Sequence, residues 1–419
     1  MRDPERQTIY GSKYSITFPD FPGMTRLPRY ITVHQQMGHH DIVELYYQAL
    51  SPFMVKSLKT GVPVQIKFSN DKTTGTFLGY VSDVKYPIAQ TLERPATITC
   101  VSSSYVMKER ASKIWTNRTA PEIVSEIGKK FGFTVKTTPH KTRFSQQSLA
   151  GHSYWEKINE LAARIGYGVK VIGTELYFHP IDVMIDEFVS TIPILSFSDP
   201  FINSYTNYNG QTLNKFEPKM GDFVEAETYN RTTKNVAGVD PITGKLYKAQ
   251  SSPHTVGKQV RQSITAPLFS TIETSTVVGS SQMAQDMADA KAQLSRLAIP
   301  ASGDALGDPR ISPWSTIQVK GTGDSSDGFW VVKSAVHTVH YDGRYTTSFT
   351  CATDGTGMNQ PSATRPSGAT AVPIRNVISE LTKPQTKPSS YKLAAATAMV
   401  SQSLTGFNKV PRRWVSHNG

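Results

Sequence analysis

The sequence predicts a mainly β protein with an α+β insert, in which two β-barrels of one design stand in a single chain. Three observations predict it. Hydrophobic residues make up 38% of the 419 and charged ones only 19%, while 29 glycines and 26 prolines punctuate the chain at the density that many short strands require. Apolar residues alternate with polar ones in the first hundred residues, then switch to a helical period between 113 and 186. A run of strands from the first hundred residues also returns, in order and in spacing, near residue 317.

Residues 1–29 are broken by Pro4, Pro19, Pro22 and Pro28 and are expected to form an extended N-terminal arm. The first barrel is expected over 30–112. There Ile31–His34, Ile42–Tyr47, Val62–Phe68, Gly75–Lys85 and Ala96–Ser102 are rich in β-branched and aromatic residues and bounded by Gly, Pro, Asn and Asp. The insert spans 113–186. Thr119 caps a helix with Pro121 in its first turn and Ile123, Val124, Ile127 and Phe131 at helical spacing, closed by Gly132. Ser153 and Glu156 form a capping box, and Trp155, Ile158, Leu161, Ala162 and Ile165 make one apolar face before Gly166. Tyr167–Ile172 and Glu175–His179 then read as a hairpin about Gly173 and Thr174.

The second barrel is expected over 187–355, with an inserted Gly- and Thr-rich stretch and a helix over 281–297. In that helix Met283, Met287, Ala290, Leu294 and Leu297 recur three or four residues apart, ahead of Pro300. Beyond it the composition turns to Thr, Pro, Ser and Gly, as a linker over 356–389 would. The last stretch, 390–419, carries the stripe Leu393, Ala396, Met399, Val400 and Leu404, then basic Lys409, Arg412 and Arg413. It is expected to dock on a partner.

The duplication joins the two barrels. Val64-Gln65-Ile66-Lys67 matches Ile317-Gln318-Val319-Lys320, and eight residues after each lysine stands a glycine, Gly75 or Gly328. Each glycine opens a long strand, and each unit closes on a Thr-rich strand holding a cysteine: Cys100 lies 25 residues after the first glycine and Cys351 lies 23 after the second. Because side chains alternate along a strand, Val64, Ile66, Ile317 and Val319 should all point inward.

The net charge of +12 is unevenly placed: +4 over 1–112, +3 over 113–186, −2 over 187–355 and +7 over 356–419. A basic tail can be a solvated linker, a docking segment for acidic proteins or a DNA contact, and no DNA-reading element accompanies it. Two cysteines are too few for a disulfide scaffold or a cysteine zinc site, so both are expected as buried free thiols. No apolar run approaches 18 residues, and MRDPERQTIY lacks the apolar core of a signal peptide, so no membrane insertion is expected.

Residues that could carry chemistry read as structural. Gly128-Lys129-Lys130 sits inside a helix and lacks the glycine spacing of a phosphate loop. His337 and His340, three apart on a strand, face opposite sides and cannot share a metal. His39-His40-Asp41 is expected to be a solvated turn. Glu156 has a capping role, Glu160 suits an exposed face, and Trp155, Trp314 and Trp330 are expected in the core. No catalytic, cofactor-binding or metal-binding residue is therefore assigned, and the chain is not expected to be an enzyme.

Thr119-Ala-Pro-Glu-Ile-Val-Ser-Glu-Ile, then Ser153-Tyr-Trp-Glu-Lys-Ile-Asn-Glu-Leu-Ala-Ala-Arg-Ile-Gly-Tyr, then Glu175-Leu-Tyr-Phe resembles the insert of the late control protein D family of phage tail hubs. That family is related to the hub part of type VI secretion spike proteins. Ser334-Ala-Val-His-Thr-Val-His to Tyr345-Thr-Thr resembles the last strands of its second barrel, so the resemblance covers about 30–355. It implies a homotrimeric baseplate or tail-tip hub of the virion, made in the host cytoplasm, each subunit carrying two tail-tube-like barrels. Three chains would then present six barrels and join a sixfold tail tube or distal tail protein to a threefold central spike or tail-tip protein. The tape measure protein is a further implied neighbour, and DNA would pass through the channel without sequence-specific binding. The proline-broken arm and basic tail depart from the family. Two other readings stand beside it: a tail-associated cell-wall hydrolase, and the hub of a secretion-system spike. For the latter the 64 residues after 355 are too few and too Pro-rich to build a spike prism.

Overall fold

The structure, a computed structural model, describes residues 13–21, 27–70, 72–87, 95–188, 192–197, 212–219, 232–240, 243–251, 269–275, 278–294, 297, 299–323 and 326–353. The linker expected over 356–389, the docking segment over 390–419 and much of the N-terminal arm lie outside these residues. The protein is mainly β with an α+β insert, and its main feature is one curled twelve-stranded sheet.

The first half of that sheet holds β1 (Lys13–Thr17), β2 (Tyr30–Gln36), β3 (Ile42–Tyr47), β4 (Pro63–Ser69), β5 (Thr74–Lys85) and β6 (Ala96–Ser102), with a short helix α1 (Pro52–Ser57) before β4. Alternation drives these strands: Val64, Ile66 and Phe68 of β4 are buried, while Lys67 between them is exposed. The insert follows as β7 (Ile114–Thr119), α2 (Ala120–Lys130), β8 (Thr134–Thr137), β9 (Arg143–Ser148), α3 (Tyr154–Ile165), β10 (Tyr167–Ile172), β11 (Glu175–Pro180) and α4 (Ile181–Glu187). Then come β12 (Ile194–Ser196), β13 (Leu213–Pro218), β14 (Thr232–Val239), β15 (Leu246–Ser251), β16 (Phe269–Ser275), α5 (Ser281–Leu294), β17 (Ile299–Leu306), β18 (Thr316–Lys320), β19 (Gly328–His340) and β20 (Tyr345–Thr353).

The two halves share one strand order. In the first it runs β4-β5-β6-β3-β2, in the second β18-β19-β20-β17-β13, all antiparallel, and β2 pairs with β19 to make the sheet continuous. A short strand extends each half beside its β4 equivalent, β1 antiparallel to β4 and β12 parallel to β18. The registers agree to the residue. Val81 stands opposite Cys100 and Val332 opposite Cys351, and a bulge follows at once in both β5 and β19.

That superposition keeps Val64 and Ile66 on Ile317 and Val319, with all four buried. It corrects the match of glycines. Ile66 faces Phe77 where Val319 faces Gly328, so Gly328 takes the place of Phe77, and Gly75 lies two residues earlier. The second hairpin is two residues shorter, which accounts for the spacings of 25 and 23.

Local signals set the insert. Both α2 and α3 begin with complete capping boxes, Thr119 with Glu122 and Ser153 with Glu156, each worth about 1 kcal/mol. Gly166 ends α3 in the left-handed region at φ 71°, and an added Cβ would come within 3.0 Å of the Ala290 backbone. Ile123, Val124, Ile127, Ile158, Leu161 and Phe178 centre the core between the helices and the β8-β11-β10 sheet. The helix expected over 281–297 is α5, which ends at the half-exposed Leu294. It packs against β15, β14 and α3 rather than against the second half of the sheet: Met283, Ala284, Met287 and Ala288 join the core of the insert, as does Val236 of β14. Periodicity shows that a helix has a buried face, not which element covers it. No helix among the described residues is long and apolar enough to cross a membrane.

Candidate functional site

Where the insert meets both halves of the sheet lies a buried polar junction. The β2–β3 turn brings His40 and Asp41, β10 brings Lys170, and the segment before β18 brings Ser312, Pro313 and Trp314. Lys170 Nζ donates to Ser312 Oγ at 3.1 Å and to Pro313 O at 2.8 Å, and Gln35 Nε2 donates to Asp41 Oδ2 at 3.0 Å. Burial pushes the Asp41 carboxyl up to about 6, against the Gln35 hydrogen bond and the Lys170 charge. Burial likewise pulls Lys170 down to about 8, with Asp41 opposing.

Two tryptophans wedge this junction. Trp155 of α3 donates from Nε1 to Gly38 O at 3.1 Å and stacks on His40 at 4.5 Å, while His40 Nδ1 meets Ser104 Oγ at 2.8 Å. Burial, together with the Lys108 and His39 charges, holds His40 down at about 4. Trp314 has a left-handed φ of 73° and donates from Nε1 to Val169 O at 3.2 Å. Its ring fits there because position 168 is glycine: an added Cβ would sit 2.9 Å from Trp314 Cζ2. Lys170 and the two tryptophans each tie the insert to one half of the sheet.

A second junction is the seam between the halves. Ile31 and Val33 of β2 face Val339 and His337 of β19, and all four are 0% exposed. His337 Nδ1 meets Thr347 Oγ1 at 3.0 Å and Tyr345 Oη at 2.9 Å, and its ring packs on Phe68 at 5.2 Å. Burial is the main reason that it is held at about 4.

The residues weighed from the sequence fall as follows. His337 is buried and His340 lies on the other face beside Tyr30, at 5.2 Å. In His39-His40-Asp41, His39 is exposed, as a solvated turn requires, whereas His40 is half-covered by Trp155 of the insert and Asp41 is half-buried. Glu156 caps α3, and Glu160 pairs with Lys157 at 3.0 Å and Arg164 at 2.7 Å. Cys100 and Cys351 are buried free thiols, and burial pushes Cys100 up to about 12 and Cys351 higher still. Trp155, Trp314 and Trp330 are all buried. Gly128-Lys129-Lys130 lies in α2. No group of three or more metal-ligating side chains occurs among the described residues.

With this architecture in view, the chain has the fold of known phage tail proteins. It superposes on the tail protein from Neisseria meningitidis MC58 with a TM-score of 0.58, at 11% identity, over 83% of this chain and 98% of that one. It superposes on the 43 kDa tail protein of prophage MuSo2 from Shewanella oneidensis with a TM-score of 0.55, at 13% identity, over 82% and 99%. No protein-family model matches the sequence, and no curated protein matches it.

Proposed function

We propose that the chain is a structural hub of a phage tail tip or baseplate. In this reading three chains assemble as a homotrimer, and each presents two tube-like units, residues 30–112 and 187–355, with 113–186 as the insert that clamps them. Six like units from three chains can meet a sixfold tail tube or distal tail protein on one side and a threefold spike or tail-tip protein on the other. The tape measure protein is a further neighbour, and DNA passes through the ring without sequence-specific contact. The role is mechanical rather than catalytic and belongs to the virion, after synthesis in the host cytoplasm.

The observation that supports this most is the duplication, which repeats strand order, register and bulge in one chain with a fold that tail proteins share. Electron microscopy of the purified full-length protein tests it. Rings with threefold symmetry and six lobes are expected. Monomers only, or rings of another symmetry, would overturn the reading. Turnover of purified cell wall by the isolated protein would overturn its non-catalytic part.

A further inference from the structure

We propose that the insert carries a docking groove for an acidic, extended segment of another protein, running along the exposed face of α2 and marked by Arg118, Lys129 and Lys141. The groove lies wholly on residues 118–143, so it stands whether or not three chains form the ring proposed above.

The cations that the chain leaves unused identify it. Residues 113–186 hold ten Lys and Arg. Six make ion pairs: Lys113 with Glu126, Lys130 with Glu109, Lys136 with Glu175, Arg143 with Glu122, and Lys157 and Arg164 with Glu160. A seventh, Lys170, is held at the buried polar junction by Ser312 and Pro313. Among the described residues the other three, Arg118, Lys129 and Lys141, pair with no carboxylate. All three are exposed, and all three line one groove of about 750 Å³.

Two carboxylates in the groove are already engaged. Glu122 accepts from Thr119 N in the capping box and from Arg143, and Glu126 accepts from Lys113. Both feel the charge of Arg118 without pairing with it.

Local structure sets the line of the groove. Glu122, Ser125, Glu126 and Lys129 fall at helical spacing on one face of α2, opposite the face that Ile123, Val124 and Ile127 give to the core. Arg118 stands before the first turn and Lys129 in the last, so the 11 residues of α2 set them about 16 Å apart along the axis. Lys141 joins them from the connection between β8 and β9. An extended chain of about five residues covers that length at about 3.3 Å each.

Charge and spacing select the occupant. Alternate side chains of an extended peptide point the same way, about 7 Å apart. Carboxylates at every second position can therefore meet the three free cations while the residues between them pass over Glu122 and Glu126. A nucleic-acid strand carries a phosphate at every step and would lay negative charge against both glutamates, which Thr119, Arg143 and Lys113 hold in place.

The test uses the full-length chain and a peptide of alternating Glu and Thr, about five residues long, with a benzophenone at one end. The two are irradiated together at low ionic strength, and cross-linked fragments are located by mass spectrometry. Cross-links should fall within residues 113–143. Their yield should drop roughly tenfold, the weight of three exposed ion pairs, when Arg118→Gln, Lys129→Gln and Lys141→Gln are combined. A chain with Lys59→Gln, Lys67→Gln and Lys320→Gln loses the same net charge from exposed positions elsewhere and should cross-link as the natural chain does. Cross-links confined to the basic residues 356–419, or equal losses in the two variants, would overturn the groove. A single-stranded oligonucleotide of the same length and label that enters the groove in preference to the peptide would overturn the choice of occupant.

Discussion

Removing the titration of His337 should reduce the acid sensitivity of the fold by a calculable amount. Burial holds this histidine at about 4 against an ordinary 6.5. The unfolded chain thus takes up the proton near 6.5 and the folded chain only near 4, so its contribution is complete above pH 6.5 and is lost as pH falls through 4. At pH 5 about 2 kcal/mol has gone, at roughly 1.4 kcal/mol per pH unit, and no solvent discount applies because the residue is 0% exposed. Protonation would also put an N–H where the Thr347 and Tyr345 hydroxyls both meet Nδ1. Urea unfolding followed by tryptophan fluorescence at pH 7.5 and 5.0, on the natural chain and on His337→Gln, measures the difference. The natural chain should lose about 2 kcal/mol more than the variant on acidification. His40, held at about 4, acts in the same sense, and Asp41, raised to about 6, acts in the opposite one. Both are present in each protein and cancel in the comparison. Equal losses would refute the reasoning.

Ile66→Asp or Val319→Asp should prevent folding, since each puts an unpaired charge at a position 0% exposed; soluble, assembled protein from either would show that the inward face is misassigned. Lys170→Met should cost about 1–3 kcal/mol at pH 7.5, because it leaves Pro313 O without its donor and removes a charge that favours the Asp41 carboxylate. That deficit should shrink at pH 5, where Asp41 takes up a proton, and a deficit independent of pH would count against the electrostatic coupling of Asp41 and Lys170. If the chain is the trimeric hub proposed above, deleting residues 390–419 should leave that trimer intact and weaken its attachment to a neighbouring tail protein; co-purification and particle mass check the two halves of this expectation, and loss of the trimer would place the segment between subunits.

What the sequence made legible follows the range of the forces involved. Strands β3 and β6 come out with the bounds expected from alternation, and α2 and α3 begin at the residues expected, because a capping box is complete within four residues. Alternation also placed His337 and His340 on opposite faces. The packing of α5 on α3, the cover over Asp41 and the pairing of β2 with β19 were not legible, since each joins segments more than a hundred residues apart. Lys170 shows the limit well. Its neighbours in sequence, Val169 and Val171, mark a strand, but only the fold brings Ser312 and Pro313 to its ammonium group.

The false match of glycines has a physical origin that bears on the symmetry of the proposed ring. Along the same face of matched strands, the first half has Phe77 then Gly79, and the second has Gly328 then Trp330. Bulk has moved by one step of the pleat, and the neighbours have adjusted: Leu45 and Ile98 of the first core are Gly303 and Phe349 in the second. The glycines leave room for the rings. An added Cβ at Gly79 would lie 2.1 Å from Val101 O as well as 2.8 Å from Phe77 Cζ, and one at Gly303 would lie 2.7 Å from Phe349 Cζ. An exchange that conserves volume keeps the backbone and the strand order while erasing residue-by-residue likeness. It also makes the halves non-interchangeable, because Trp330 cannot enter a core already filled by Leu45 and Phe77 without strain. Six such units around a ring would therefore alternate in kind, which makes the symmetry of the assembly threefold and lets each kind of unit face a different neighbour.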